Sequence, residues 1–230
     1  MKLKDLREEV LEANLELVRR GLVLYTFGNA SGIDREEGLV VIKPSGMNYE
    51  TMKPEDLVIV DLDGRTVDGL LRPSSDLPTH IILYKAFRAI GGIAHTHSRC
   101  ATAWAQAQRA IPCFGTTHAD YFHGAVPVTK PLSPPEIKKN YEQNTGLAIV
   151  RCMKKRDPLH TPAVLVAGHA PFCWGGSPAE AAHNAVVVEE IAAMALQTIR
   201  ANPKAQPISK VLHAKHFFRK HGSTAYYGQK

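Results

Sequence analysis

Apolar residues recur at helical spacing near the start of the chain: Leu6, Val10, Leu11, Leu17 and Val18, with Asn14 on the same stripe. This pattern predicts a helix over residues 3 to 20, closed by Gly21 where a left-handed cap belongs. Short runs rich in β-branched residues follow. Leu22 to Tyr25, Leu39 to Ile42 and Leu57 to Val60 predict strands, with Asp63-Gly64 as a hairpin turn. Ser74-Ser75-Asp76 can cap a helix carrying Ile81, Ile82, Tyr84 and Phe87 to about residue 88. Gly92 to Thr96 predicts another strand, and Ser98 opens an Ala-rich helix through Gln106. Ser133-Pro134-Pro135-Glu136 and Ser177-Pro178-Ala179-Glu180 each place Ser at the N-cap, Pro at the first helical position and Glu at the third. Between these helix starts Ala163 to Ala167 reads as a buried strand; the second start leads into a long helix, about 178 to 201, ended by Asn202-Pro203.

Strands and helices alternate without a repeat or a Ser/Gly/Pro-rich linker, which predicts one α/β domain with helices flanking a sheet. The 230 residues, 44% apolar and 22% charged, suffice for a single buried core. No apolar run approaches the ~18 residues of a membrane span, and the charged opening Met-Lys-Leu-Lys-Asp is unlike a secretory signal, so a cytoplasmic protein is expected. Cys100, Cys113, Cys152 and Cys173 lack CxxC spacing and read as reduced core thiols. A net charge of +6 raises nucleic acid as a partner. The basic residues are dispersed, with no basic arm or RNA-binding aromatic signature, and predict a solvated surface.

His95-Thr96-His97 leaves the apolar run Gly92-Ile93-Ala94, and residues i and i+2 of a strand project from one face. Both imidazoles can therefore meet one ion, although a polar sheet edge or a buried hydrogen-bonded pair has the same pattern. His169 follows a second apolar strand and precedes Ala170-Pro171. Alone it reads equally as a strand-end histidine capping a loop carbonyl. Together the three can form a three-nitrogen site, which suits zinc with a carboxylate or water completing the shell. His80 and His183 fall inside predicted helices and read as packing or surface residues.

Three segments combine flexible residues with donors: Gly28-Asn29-Ala30-Ser31, Lys43-Pro44-Ser45-Gly46 and Ser74-Ser75. Backbone N–H groups, hydroxyls, a helix N-terminus and a lysine make an inventory that fits phosphate. Each segment singly reads as an ordinary turn or cap, and none matches the P-loop or GxGxxG pattern.

These segments, with Pro78-Thr79-His80, Gly91-Gly92-Ile93, His95-Thr96-His97-Ser98, Thr116-Thr117-His118-Ala119-Asp120-Tyr121, Arg219-Lys220-His221-Gly222 and Ala225-Tyr226-Tyr227-Gly228, resemble the class II aldolase/epimerase family over nearly the full length. The resemblance implies a single domain over residues 1 to 230: a central, mainly antiparallel sheet flanked by helices in three layers. Residues 205 to 230 would form a C-terminal helix and a tail reaching a neighbouring subunit of a homotetramer. It implies a divalent metal, Zn2+ or another such as Mn2+, held by His95, His97 and His169 with Asp76 as a further ligand. Gly28, Asn29, Lys43, Ser45, Gly46, Ser74 and Ser75 would bind substrate, mainly its phosphate. Asp120 and Tyr227 would be the acid/base pair, with Glu142 and His216 as accessory positions. Ala170 stands where relatives often have Gly, restricting the backbone if that position needs positive φ, and His123 replaces a common aromatic.

The implied activity is interconversion of L-ribulose 5-phosphate and D-xylulose 5-phosphate, as in arabinose catabolism or ascorbate use. Carbon 4 is not adjacent to the carbonyl, so its hydrogen is not acidic, and inversion requires opening the bond between carbons 3 and 4. The resulting glycolaldehyde phosphate rotates and re-adds to an enediolate whose charge a divalent cation stabilises. The competing expectation within the family is an aldolase releasing dihydroxyacetone phosphate and an aldehyde; such enzymes tend to carry Glu where this chain has Asp76. A remoter alternative is a non-catalytic basic binding module.

Overall fold

The computed structural model describes residues 1–222 and 225–227; Gly228 of the tail motif lies outside the described residues. Helix α1 (Lys4–Arg19) ends as its sequence predicts. Gly21 is left-handed at φ 69°, and Gly21 N–H and Leu22 N–H donate to the carbonyls of Val18 and Leu17. This cap also explains why Leu22 to Tyr25 is not the strand that its side chains suggest. The segment is still leaving the helix, and Tyr25 sits at φ 54°, outside any ladder.

Pairing begins instead at β1 (Gly28–Asp34), followed by β2 (Leu39–Ile42), β3 (Val58–Asp61) and β4 (Thr66–Asp68), with the expected turn at Asp63-Gly64. Helix α2 (Leu77–Ala86) leads to β5 (Gly92–Thr96), and helices α3 (Arg99–Gln106) and α4 (Thr116–Ala119) follow. The Ser133 start gives only α5 (Pro134–Lys138). Asn140 at φ 55° breaks the helix before α6 (Tyr141–Met153). The chain then forms β6 (Ala163–Leu165), β7 (Pro171–Gly175), α7 (Pro178–Ala201) and α8 (Lys210–Lys220). Ser177 Oγ accepts from Glu180 N–H at 3.2 Å, the cap its sequence predicts.

The seven strands form one sheet, ordered β4-β3-β2-β1-β5-β7-β6, with every pair antiparallel. Side chains alternate between two cores. Leu39, Val41, Ile59, Ala94, Cys173 and Leu165 face α1, α3 and α7; Val40, Ile42, Val60, Ile93, Phe172 and Trp174 face α2 and α6. Both sheet faces are thus covered, which is why the strands read as continuous apolar runs rather than alternating ones. Among the described residues no helix is long and apolar enough to cross a membrane.

The α1/α7 side demands glycine where β1 meets β5. Gly32 and Gly92 are paired, and a Cβ on Gly92 would lie 2.3 Å from the Ser177 carbonyl oxygen and 2.4 Å from Pro178 N. Those contacts are backbone and cannot swing away. Gly92→Ala is expected to lower stability by about 3 kcal/mol, the upper end of overpacking costs. A denaturant midpoint equal to wild type would contradict it.

Candidate active site

Antiparallel pairing brings the chemistry to one end of β1, β5 and β7. Asn29 pairs with His95, and His95 with Phe172, so both polar side chains share the face turned toward α2 and α6. His97 lies two residues beyond His95, just past the strand end. His169 comes from the turn joining β6 to β7, where Gly168 (φ 72°) and bonds from His169 N–H to Val166 O and from Val166 N–H to Ala170 O close a tight loop. The positive φ falls on Gly168 and not on Ala170, whose methyl is buried, so the departure at Ala170 carries no left-handed strain.

The three imidazoles converge. His97 Nε2 lies 3.2 Å from both His95 Nε2 and His169 Nε2, and all three ligand atoms fall within 4.8 Å of one another. A divalent cation with metal–nitrogen bonds of about 2.0–2.1 Å in tetrahedral geometry sets its ligand nitrogens roughly 3.3 Å apart, so this donor set fits one. Orientation supports the fit. His95 Nδ1 is 2.9 Å from the Pro171 carbonyl, which only accepts, so Nδ1 carries the proton and Nε2 offers its lone pair to the cluster. The ring is stacked on Phe172 at 4.1 Å. Burial, reinforced by the neighbouring imidazoles, pushes His169 down to about 4; the more exposed His97 is lowered by partial desolvation where its ring meets the cluster and by His95, so both are neutral and able to ligate near neutral pH.

Around the cluster lies a cleft of about 420 Å³. It is lined by all three segments that the sequence offers as an anion site: Gly28 and Asn29 from β1, Lys43, Ser45 and Gly46 after β2, and Ser74 and Ser75 before α2. These segments are laced together by backbone bonds. Ser74 N–H donates to Lys43 O at 3.0 Å, and Ser45 N–H to Arg72 O at 2.9 Å. Lys43 is 1% exposed and has no carboxylate partner among the described residues; its Nζ donates only to the Pro44 carbonyl at 3.2 Å, and burial lowers it to about 8. A buried ammonium with one weak acceptor calls for an anion.

Asp76 lines the same cleft but is outside the group of ligand atoms within 4.8 Å, which among the described residues is formed by the three histidines. Its Oδ2 instead accepts from Asn29 Nδ2 at 2.7 Å. Burial would raise its carboxyl, but the opposing pull of the nearby histidines and the Asn29 amide leaves it below the usual range. The residue anticipated as a fourth ligand is thus held beside the cluster by an amide. Glu142 lines the cleft, and its backbone carbonyl accepts from Thr79 Oγ1 at 2.6 Å. Its neighbour Tyr141 is a residue that the sequence reading missed: its hydroxyl is 3.3 Å from His169 Nδ1. Only the break at Asn140, which starts α6 there, turns it toward the cleft, and no local pattern announces it. His80 is a packing residue as expected, fully buried, 2.7 Å from Ser31 Oγ, and kept neutral by burial that lowers it to about 3.

Asp120, His216 and Tyr227 do not line this cleft. They gather elsewhere, where α8 packs against α4. Arg219 donates to both Asp120 oxygens at 3.0 and 2.7 Å, and His216 Nδ1 lies 3.0 Å from Oδ1. The Tyr227 ring lies 4.4 Å from the Arg219 guanidinium. Burial acts to raise Asp120, but these bonds outweigh it and keep it a carboxylate below the usual range. Within one chain the expected acid/base pair is therefore assembled, but apart from the imidazoles.

Residues 8–196 match the family model described as Class II Aldolase and Adducin N-terminal domain. The chain belongs to this family. An L-ribulose-5-phosphate 4-epimerase UlaF of Salmonella typhi is 54% identical over 228 residues, which is 99% of this chain and 100% of that one. The same protein name, identity and coverage hold for a relative from Salmonella paratyphi B (strain ATCC BAA-1250 / SPB7). Among solved structures, an L-fuculose 1-phosphate aldolase superposes with a TM-score of 0.83 at 24% identity, covering 95% of this chain and 97% of its own. Another, from Glaciozyma antarctica PI12, gives 0.77 at 17% identity, covering 96% of this chain and 84% of its own. These two likenesses establish the class II aldolase fold, which the antiparallel sheet between helical layers displays.

Proposed function

We propose that the protein is an L-ribulose-5-phosphate 4-epimerase, inverting carbon 4 by cleaving and remaking the bond between carbons 3 and 4. The observation that carries this reading is one cleft joining three converging imidazole nitrogens to three donor-bearing segments, one of which holds a buried lysine with no carboxylate partner among the described residues. Such a cleft suits a substrate with a phosphate at one end and oxygens that gain charge at the other. Full-length identity to proteins named for this reaction supports the choice within the family.

His95, His97 and His169 would hold the divalent cation, Zn2+ by the preference of neutral imidazoles, and that cation supplies Lewis acidity for the charge developing as the carbon bond opens. The three segments anchor the phosphate, so that the aldehyde fragment stays and turns over instead of leaving. Protons must leave and return at the carbon 4 oxygen on either face. Asp120, held as a carboxylate by Arg219, takes a proton on one side; the Tyr227 hydroxyl serves the other. Because both lie outside the cleft of their own chain, the reading has the α8 cluster of one subunit complete the cleft of the next, in a homotetramer.

Metal-replete protein supplied with L-ribulose 5-phosphate is expected to form D-xylulose 5-phosphate in a coupled assay. Stoichiometric release of a free aldehyde would instead assign the protein to the family's aldolases.

A further inference from the structure

Tyr49 lies outside the cleft lining, is 3% exposed, and touches two of the three anchoring segments at once. Its ring faces the Lys43 ammonium, with Nζ 4.5 Å from the ring centroid. Its hydroxyl donates to the Gly28 carbonyl at 2.6 Å. Gly28 is itself pressed against the catalytic strand, since a Cβ there would lie 2.8 Å from the His95 carbonyl oxygen. The third segment is joined to the second by the Ser74 N–H to Lys43 bond.

We propose that Tyr49 is a positioning residue for the anion cradle, fixing the Lys43 ammonium with its ring and the start of β1 with its hydroxyl. The proposal rests on the reading of the cleft as a sugar-phosphate site. A flexible lysine stem has many rotamers, and only an ammonium held in place before the substrate arrives grips the phosphate without an ordering cost. The π-face performs this task without neutralising the charge. A carboxylate in the same place would hold Lys43 equally well but would compete with the phosphate. The hydroxyl bond adds registry: with Gly28 tied down, Asn29 and Lys43 keep a fixed separation across the cradle. Tyr49 acts on the phosphate end and reaches neither the imidazoles nor the reacting carbons.

The test compares Tyr49→Phe, Tyr49→Leu and Lys43→Met with wild type. Two quantities are read: KM and kcat for L-ribulose 5-phosphate, and the inhibition constant of inorganic phosphate. Tyr49→Phe keeps the ring and loses one hydrogen bond, so KM and the phosphate constant should each rise about fivefold. Tyr49→Leu loses the ring as well and should raise both roughly 20-fold. In either variant kcat should change less than about threefold, the signature of binding lost equally from ground and transition states. Tyr49→Phe is close enough in shape to fold even if Tyr49→Leu does not, and its result decides alone in that case. If Lys43→Met weakens phosphate binding while Tyr49→Phe matches wild type, the hydroxyl's part is refuted, and with it the proposed joint role of ring and hydroxyl, while the phosphate reading stands. A loss confined to kcat in the Tyr49 variants also refutes it. If Lys43→Met leaves the phosphate constant unchanged, the anion reading falls and takes this proposal with it.

Discussion

His97→Ala is expected to lose its metal and to fall in kcat/KM by more than about a thousandfold, the scale of several kcal/mol of Lewis-acid stabilisation. His97 is the member of the cluster closest to both others, at 3.2 Å from each. Without it two imidazoles remain, one of them on a turn, and no carboxylate stands within the group to replace it. The substitution also isolates chemistry from folding. His95 is buried and stacked on Phe172, so its removal would open a hole in the core, whereas His97 is exposed past the strand end. Stability of metal-free His97→Ala should therefore stay within about 0.5 kcal/mol of metal-free wild type. Elemental analysis, steady-state rates and thermal melts on one preparation measure all three consequences. A variant that retained a full complement of metal and ordinary turnover would remove histidine ligation from the mechanism.

The parts of this architecture that the sequence displays are those where a local rule and the tertiary fold agree. Capping residues set α7 to the residue, and the apolar runs 39 to 42, 57 to 60 and 92 to 96 become β2, β3 and β5 with shifts of no more than a residue. Strand β1, Gly-Asn-Ala-Ser-Gly-Ile-Asp, is invisible by the same rules. Its α1/α7 face carries Ala30 and Gly32 because those helices approach closely, and its other face spends Asn29 on Asp76 and Ser31 on His80. Neither face is left to show an apolar alternation. Strand β7 is hidden by Pro171, which the ladder tolerates as a first residue.

The site divides in the same way. The i, i+2 spacing of His95 and His97 is a strand property and is legible without the fold; their meeting with His169 depends on the pairing of β5 with β7. Asp76 enters the cleft from a third stretch of chain, where its Oδ2 accepts from Asn29, 47 residues away, a contact that no local pattern announces. The grip of Arg219 on Asp120 spans 99 residues and leaves no periodic trace.

Two inactive variants, His97→Ala and Tyr227→Phe, are expected to regain activity when unfolded together and reassembled. In one chain Tyr227 packs on Arg219 and Lys220 beside Asp120, and none of these residues borders the cleft that holds the imidazoles. If the acid/base cluster serves the cleft of an adjacent copy, each working site draws on two chains. The His97→Ala chain then contributes an intact cluster and the Tyr227→Phe chain an intact cleft. Random assembly in a closed ring pairs them correctly at about a quarter of the sites. Activity of the mixture should approach that fraction of wild type, starting from two near-zero preparations. Mixing without unfolding should recover little, since subunits must exchange. If each chain instead closed its own site by swinging α8 onto its own cleft, every site in the mixture would carry one lesion or the other, and the reassembled protein would remain as inactive as its parents.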